Sequence, residues 1–131
     1  EHFEVLSLRH TIPLNPDAVG EVTCWDPEAH IVYHDQNAAQ LAICDGISGP
    51  AHTRCRASSP VTVGKRGSAQ FTLTTLRPGT TIDISKVRWE ECVRAARDKC
   101  PTGSLSGVCL GGASWGDIGF VLESTLYAMD L

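Results

Sequence analysis

Hydrophobic and polar residues alternate in several short segments of the chain, and this period of two predicts β-strands. In Phe3–Leu8 one side of the chain would carry Phe3, Val5 and Ser7, and the other Glu4, Leu6 and Leu8. Glu21–Trp25, which carries the first cysteine, is predicted as a second strand, and Ile118–Ser124 as the last. The pattern therefore predicts strands at both ends of the sequence.

A β-hairpin is predicted in the middle of the chain. Two segments at 61–63 and 70–76, the second rich in β-branched threonine, flank the sequence Gly64-Lys65-Arg66-Gly67. Glycine at both ends of four residues is typical of a turn, so Lys65 and Arg66 are predicted to lie in the hairpin turn.

Two helices are predicted from a period of three to four residues. The clearer one runs from Ser85 to about Lys99, with Pro101 beyond its end. Its apolar face comprises Trp89, Cys92, Val93, Ala96 and Cys100. The other is predicted at about Gln36–Ile47, with Asp35 as its N-cap. Its apolar side comprises Ala38, Leu41, Cys44 and Ile47.

The order strand, helix, hairpin, helix, strand predicts an α+β sandwich of the split βαβ kind. We expect an antiparallel sheet of about four strands with two helices on one face. The 131 residues are 42% hydrophobic, which suits a single domain over 1–131 with a core of its own.

Six cysteines change this picture, because an even number in a small chain usually marks a disulfide framework made in an oxidising compartment. They are Cys24, Cys44, Cys55, Cys92, Cys100 and Cys109. Their spacing contains no Cys-x2-Cys or Cys-x4-Cys pair of the kind that binds zinc. The chain also begins at Glu1, as a mature protein does after a signal peptide is removed. We therefore expect a secreted protein with three disulfides.

The second predicted helix restricts the pairing of these cysteines. Cys92 and Cys100 lie about 12 Å apart along a helix axis, which is too far for a bridge. The preferred pairing is Cys44–Cys55, Cys100–Cys109 and Cys24–Cys92, because the first two close short loops. The exchange to Cys92–Cys109 and Cys24–Cys100 is nearly as well supported.

The net charge of −4 is unevenly distributed, since residues 54–99 hold ten of the eleven basic residues. The bases are not interleaved with aromatic residues, so a nucleic-acid partner is not predicted. No apolar segment approaches the roughly 18 residues of a membrane span. The residues predicted to contact a protein partner, if exposed, are Lys65, Arg66, Trp25 and Trp115.

No catalytic, metal or cofactor site is predicted. Gly112-Ala113-Ser114-Trp115-Gly116 matches the Gly-x-Ser-x-Gly motif of hydrolases, but no histidine follows it to serve as the base. His30 and His34 could bind a metal on a helix, but the residues between them favour an extended chain that separates them by about 13 Å. The histidines with Glu28 and Arg54 could support ribonuclease chemistry, which the spacing does not single out.

The C-terminal half resembles small cysteine-rich proteins secreted by filamentous fungi. The residues that carry the resemblance, mainly within 70–125, are Trp89-Glu90-Glu91-Cys92, Ala95-Ala96, Cys100, Val108-Cys109-Leu110-Gly111-Gly112 and Ile118-Gly119-Phe120. They form a cysteine-bearing helix, a glycine-rich segment with a further cysteine, and a final strand. This arrangement is similar to the killer-toxin-like α/β effectors and to the secreted-in-xylem group of plant-pathogen effectors.

The resemblance implies an α/β sandwich, export from the fungus and action through host proteins, with no shared catalytic residues. We therefore predict a secreted, non-enzymatic effector that acts in the apoplast, with possible later entry into host cells. Its partner would be a host plant protein or a second effector, and a host immune receptor could recognise it. The alternatives are a killer-type antimicrobial toxin and a small secreted ribonuclease-like enzyme. The sequence does not indicate an oligomeric state.

Overall fold

A five-stranded antiparallel sheet organises the computed structural model, which describes residues 14–47, 50 and 52–125. The strand predicted at Phe3–Leu8 lies outside these residues. The regular elements within them are β1 (Val19–Asp26), α1 (Tyr33–Leu41), β2 (Arg54–Arg56), β3 (Val61–Arg66), β4 (Ala69–Thr75), β5 (Asp83–Ser85), α2 (Lys86–Lys99), β6 (Ser104–Cys109) and β7 (Ile118–Ser124).

The strand order in the large sheet is β1-β6-β7-β4-β3, and β2 pairs with β5 in a separate two-stranded sheet. Every neighbouring pair is antiparallel, so the two edge strands β1 and β3 run parallel to each other and are linked through α1. This is a split βαβ arrangement in an α+β fold, as predicted. The large sheet has five strands rather than about four.

The strand of the large sheet that was not predicted is β6, whose last residues belong to the glycine-rich segment around Cys109. Leu105, Gly107 and Cys109 alternate with half-buried residues along it, so it does have a strand's period of two. Serine and glycine conceal that period in the sequence. At Gly107 a Cβ atom would come within 3.1 Å of the Phe120 ring on β7, so a larger residue there would have to displace that ring slightly.

The hairpin β3–β4 is longer than predicted, and its turn is Gly67-Ser68. Lys65 and Arg66 therefore end strand β3 instead of forming the turn. Two features move the turn: Gly67 adopts a φ of +52°, and the Ser68 N–H and hydroxyl both donate to Asp35 Oδ2, at 2.9 and 2.8 Å.

That use of Asp35 also explains why the first helix differs from its prediction. Asp35 caps the hairpin turn rather than α1, and the helix begins three residues earlier than predicted, at Tyr33, with Val32 as its N-cap residue. The helix ends at Leu41, because Cys44 and Asp45 have φ angles of +53° and +61°. Its buried face comprises Gln36, Ala39 and Gln40, not the predicted Ala38 and Leu41.

Helix α2 follows its prediction. The Ser85 hydroxyl accepts from the Arg88 N–H at 3.2 Å, and Trp89 is fully buried. The indole packs edge-on against Phe71 of β4 and Phe120 of β7, with centroids 5.1 and 5.4 Å away. Its N–H donates to the Gln40 carbonyl at 2.9 Å. Trp89 therefore joins both helices to one face of the sheet.

The three disulfides are Cys24–Cys100, Cys44–Cys55 and Cys92–Cys109, with Cα–Cα distances of 5.5 to 5.7 Å. Cys44–Cys55 agrees with the preferred pairing. The preferred Cys100–Cys109 and Cys24–Cys92 were wrong, and the alternative exchange to Cys92–Cys109 and Cys24–Cys100 is confirmed. The cause is β6, which runs back along α2 for about 17 Å from Ser104. It carries Cys109 away from Cys100 and towards Cys92 on the preceding turns of the helix.

Candidate interaction surface

The loop Leu110–Asp117 joins β6 to β7 and presents Trp115 at one end of the large sheet. Ser114 holds the loop reciprocally to Thr81: its N–H donates to the Thr81 carbonyl at 2.8 Å, and its hydroxyl accepts the Thr81 N–H at 3.0 Å. Asp117 Oδ1 accepts the Gly111 N–H at 2.7 Å. The loop is thus fixed by bonds that do not involve the Trp115 side chain.

These bonds also give the Gly-x-Ser-x-Gly motif a structural role. The Ser114 hydroxyl accepts a backbone hydrogen bond, and Gly112 packs so closely that a Cβ atom would come within 2.8 Å of Ile118. The serine and the first glycine of the motif therefore shape the loop.

Trp115 is 61% exposed, and the guanidinium carbon of Arg77 lies 3.7 Å from the centre of its ring. Arg77 follows β4, and its carbonyl accepts the Thr80 hydroxyl at 2.6 Å. Leu76 is 54% exposed beside it. We call these three residues (Leu76, Arg77 and Trp115) the Trp115 surface. Arg77 forms no ion pair with any residue that the structure describes.

The other predicted interaction residues are exposed, but they lie elsewhere. Trp25 is 65% exposed on edge strand β1, and Lys65 and Arg66 are exposed on the opposite edge strand β3. Four strand spacings, about 19 Å, separate these two edges. Both groups lie at the end of the sheet where Asp26 pairs with Ser104 and Ala69 with Ser124, away from Trp115.

The structure therefore keeps Trp25, Trp115 and the adjacent pair Lys65 and Arg66 apart. Trp115 instead contacts Arg77, which was not predicted to be an interaction residue. The two residues are 38 positions apart, so no local sequence pattern connects them.

A cavity of about 450 Å³ lies at the other end of the sheet, between the segment after β1 and the turn after α2. We call it the Arg97 cavity, and its polar lining comprises Glu28, His30, Tyr33, Gln36, Arg97 and Thr102. Glu28 and His30 were among the possible ribonuclease residues in the sequence, whereas Arg97 was not predicted to be a site residue. Arg54, named with them, instead forms a 2.7 Å ion pair with Asp83 outside the cavity.

The histidines do not assemble a metal or catalytic cluster in the described part of the chain. The extended conformation predicted around His34 was wrong, since His34 lies in α1. Of His30, His34 and His52, only His30 lines the Arg97 cavity. No group of three or more potential metal ligands occurs among residues 14–47, 50 and 52–125.

Within the same ranges, no helix is both long enough and apolar enough to cross a membrane. No protein-family model matches the chain, and no curated protein or solved structure matches it either.

Proposed function

We propose that this protein is a secreted, non-enzymatic effector that binds a host plant protein through the Trp115 surface. The observation that carries the proposal is a tryptophan that is 61% exposed on a loop held by other residues. Tryptophan and arginine are the residues that most often dominate binding energy at protein interfaces. The Trp115 surface places one of each in contact.

Because Trp115 is exposed, we expect it to contribute to partner binding and little to the stability of the fold. Trp89 lies in the core between two aromatic rings, whereas Trp115 contacts the guanidinium of Arg77 at the surface. Most of the Trp115 side chain is therefore available to a partner. Covering it would remove a large apolar area from water at little conformational cost, because its backbone is already fixed.

Charge indicates the chemistry of that partner. Arg77 holds a positive charge on the indole face, and no described carboxylate neutralises it. A protein surface with an apolar slot for Trp115 and an acidic side chain beside it would satisfy both groups.

The cysteines and the sequence resemblance support the remainder of the proposal. Three disulfides are compatible with an extracellular compartment such as the apoplast. The resemblance to killer-toxin-like and secreted-in-xylem effectors supports a host plant protein as the partner, with a second effector as the other choice from the same class.

The test uses the two exposed tryptophans as a matched pair. Oxidised protein immobilised as bait would be incubated with plant extract beside the Trp115→Ala, Trp25→Ala and reduced, alkylated forms. A partner retained by the native protein would be identified, purified and titrated calorimetrically. We expect Trp115→Ala to weaken its binding by about thirtyfold, the value for a hot-spot residue worth about 2 kcal/mol. Trp25→Ala should change it less than threefold.

Other outcomes would overturn the proposal. If Trp25→Ala or a Lys65→Ala/Arg66→Ala variant loses the partner and Trp115→Ala keeps it, the binding surface is a different one. If no partner is retained and the protein instead inhibits growth of competing yeast, the killer-toxin alternative replaces the effector. Hydrolysis of RNA by the purified protein would favour the ribonuclease.

A further inference from the structure

The Arg97 cavity has the properties of a small-molecule site independent of the Trp115 surface. It lies at the opposite end of the sheet, and its volume of about 450 Å³ is within the usual range for ligand sites. The apolar residues Ala29, Ile31 and Pro101 line it beside the polar ones.

Arg97 is held in this cavity by neutral partners only. Its Nε donates to Gln36 Oε1 at 2.9 Å, and its Nη1 donates to the Cys100 carbonyl at 3.0 Å. Gln36 is itself only 4% exposed, so the side chain that orients the guanidinium is firmly placed. Nη2 makes no hydrogen bond with a described residue.

The charge of Arg97 is not neutralised by the protein. Arg97 forms no ion pair within the part of the chain that the structure describes, although Glu28 lines the same cavity. Burial lowers the pKa of the guanidinium from its ordinary value, because a half-buried cation loses hydration. An anionic group bound beside Nη2 would replace that lost hydration with a charge-assisted hydrogen bond.

The walls of the cavity are preformed. The Cys24–Cys100 disulfide joins β1 to the end of α2, directly before the lining residues 101–103. The Thr102 hydroxyl donates to the Pro27 carbonyl at 2.9 Å. Gly103, with a φ of +79°, lies so close to Asp26 and Pro27 that a Cβ atom would not fit. A ligand would therefore meet a site that needs little ordering.

We propose that the Arg97 cavity binds a small organic monocarboxylate, with the carboxylate on Arg97 and the apolar body against Ile31 and Pro101. A planar guanidinium matches a planar carboxylate. Inorganic phosphate fits less well, because it carries more negative charge beside Glu28 and has no apolar part to cover the apolar lining.

Benzoate is the probe for the test, and benzamide is its neutral isostere. Each would be titrated into oxidised, 15N-labelled protein while the amide chemical shifts are followed. We expect saturable shifts for benzoate at residues 28–36 and 101–103, with a Kd on the order of 1 mM for so small a molecule. Benzamide and inorganic phosphate should each bind at least about tenfold more weakly.

Two arginine variants make the test specific. Arg97→Gln should weaken benzoate at least about tenfold, while Arg94→Gln, an exposed position on the same helix, should leave it within about twofold. Arg97→Lys keeps the charge but loses the fork of donors, so its affinity should fall between those of native protein and Arg97→Gln. The amide spectrum of each variant shows whether it is folded.

The proposal fails if benzoate gives no saturable shifts, if benzamide or phosphate binds as tightly, or if folded Arg97→Gln binds like native protein. Shifts that cluster around Trp115 instead would also overturn it. None of these results depends on the plant partner, so this site and the Trp115 surface succeed or fail separately.

Discussion

Two arginines at opposite ends of the sheet are used in different ways. Arg77 lies at the surface with its guanidinium carbon 3.7 Å from the centre of the exposed Trp115 ring. Arg97 is half-buried, and Gln36 and the Cys100 carbonyl fix two of its nitrogens. Neither forms an ion pair with a described residue.

The difference lies in hydration and in the size of ligand that can reach each group. Arg77 keeps most of its water, so only a partner large enough to cover the indole as well would gain much by binding there. Arg97 has already lost part of its hydration inside a preformed cavity, so a few ligand atoms are enough to stabilise it. The two proposals therefore place a protein partner at one end of the sheet and a small anion at the other.

Removing Trp89 should have the largest effect, because this residue supports both ends through the core. Trp89→Ala removes a fully buried indole and its hydrogen bond to Gln40, and we expect it to lower the free energy of unfolding by about 3–5 kcal/mol. Chemical denaturation of the oxidised protein measures this. Trp115→Ala is the matched control and should stay within about 0.5 kcal/mol of native protein. An equal loss in both variants would make Trp115 a structural residue.

Removal of the Cys24–Cys100 disulfide should affect the Arg97 cavity more than the Trp115 surface. The bridge spans 76 residues of sequence and borders the Arg97 cavity, so Cys24→Ala/Cys100→Ala should cost about 2–4 kcal/mol and weaken benzoate. Partner binding at Trp115 should change much less as long as the variant is folded. Denaturation and the two binding titrations measure these effects.

The control for this variant is Cys44→Ala/Cys55→Ala, which opens a bridge that borders neither site. It should lower stability without a specific loss of benzoate affinity. If both double variants weaken benzoate equally, the bridge beside the cavity has no local role.

The features of the structure that could be predicted are those set by residues close together in the sequence. Helix α2 was predictable because its buried residues recur along one face and Ser85 caps it locally. Strand β6 was not, because serine and glycine hide its alternation, and two disulfides were mispaired as a consequence. The contact of Arg77 with Trp115 and that of Arg97 with Gln36 each join distant segments. Sequence patterns indicate the periodicity and the caps of single helices and strands. A contact between two distant segments produces no such pattern, so neither of these contacts could be predicted.

Acid should remove the stabilisation that the ionised Asp35 carboxylate provides. Hydrogen bonds from the Ser68 backbone and hydroxyl lower the pKa of Asp35, whose helix α1 carries the cavity residue Gln36. Because the folded pKa is depressed, the stabilisation is present above about pH 4 and is lost as pH falls through the folded value. We expect native protein to be more stable than Asp35→Asn at neutral pH, with the difference closing in acid.

Urea denaturation of both proteins at several pH values measures that difference. Asp117→Asn is the control at the Trp115 end, where a carboxylate also accepts a backbone N–H. If the difference between native protein and Asp35→Asn is independent of pH, the charge of Asp35 does not contribute, and the hydrogen bonds to Ser68 act without it.

The smallest expected effect concerns Ser114, which tests whether the Trp115 loop is as rigid as the cavity. Ser114→Ala leaves the Thr81 N–H without its side-chain acceptor, but water can reach this exposed position. We therefore expect a loss of only about 0.5–1 kcal/mol in unfolding free energy, measured against the exposed control Ser58→Ala. Partner affinity should fall modestly, because a looser loop must be ordered on binding. Unchanged stability and affinity would mean that the remaining backbone hydrogen bonds suffice to hold the Trp115 loop. The Ser114 hydroxyl would then contribute neither to stability nor to partner binding.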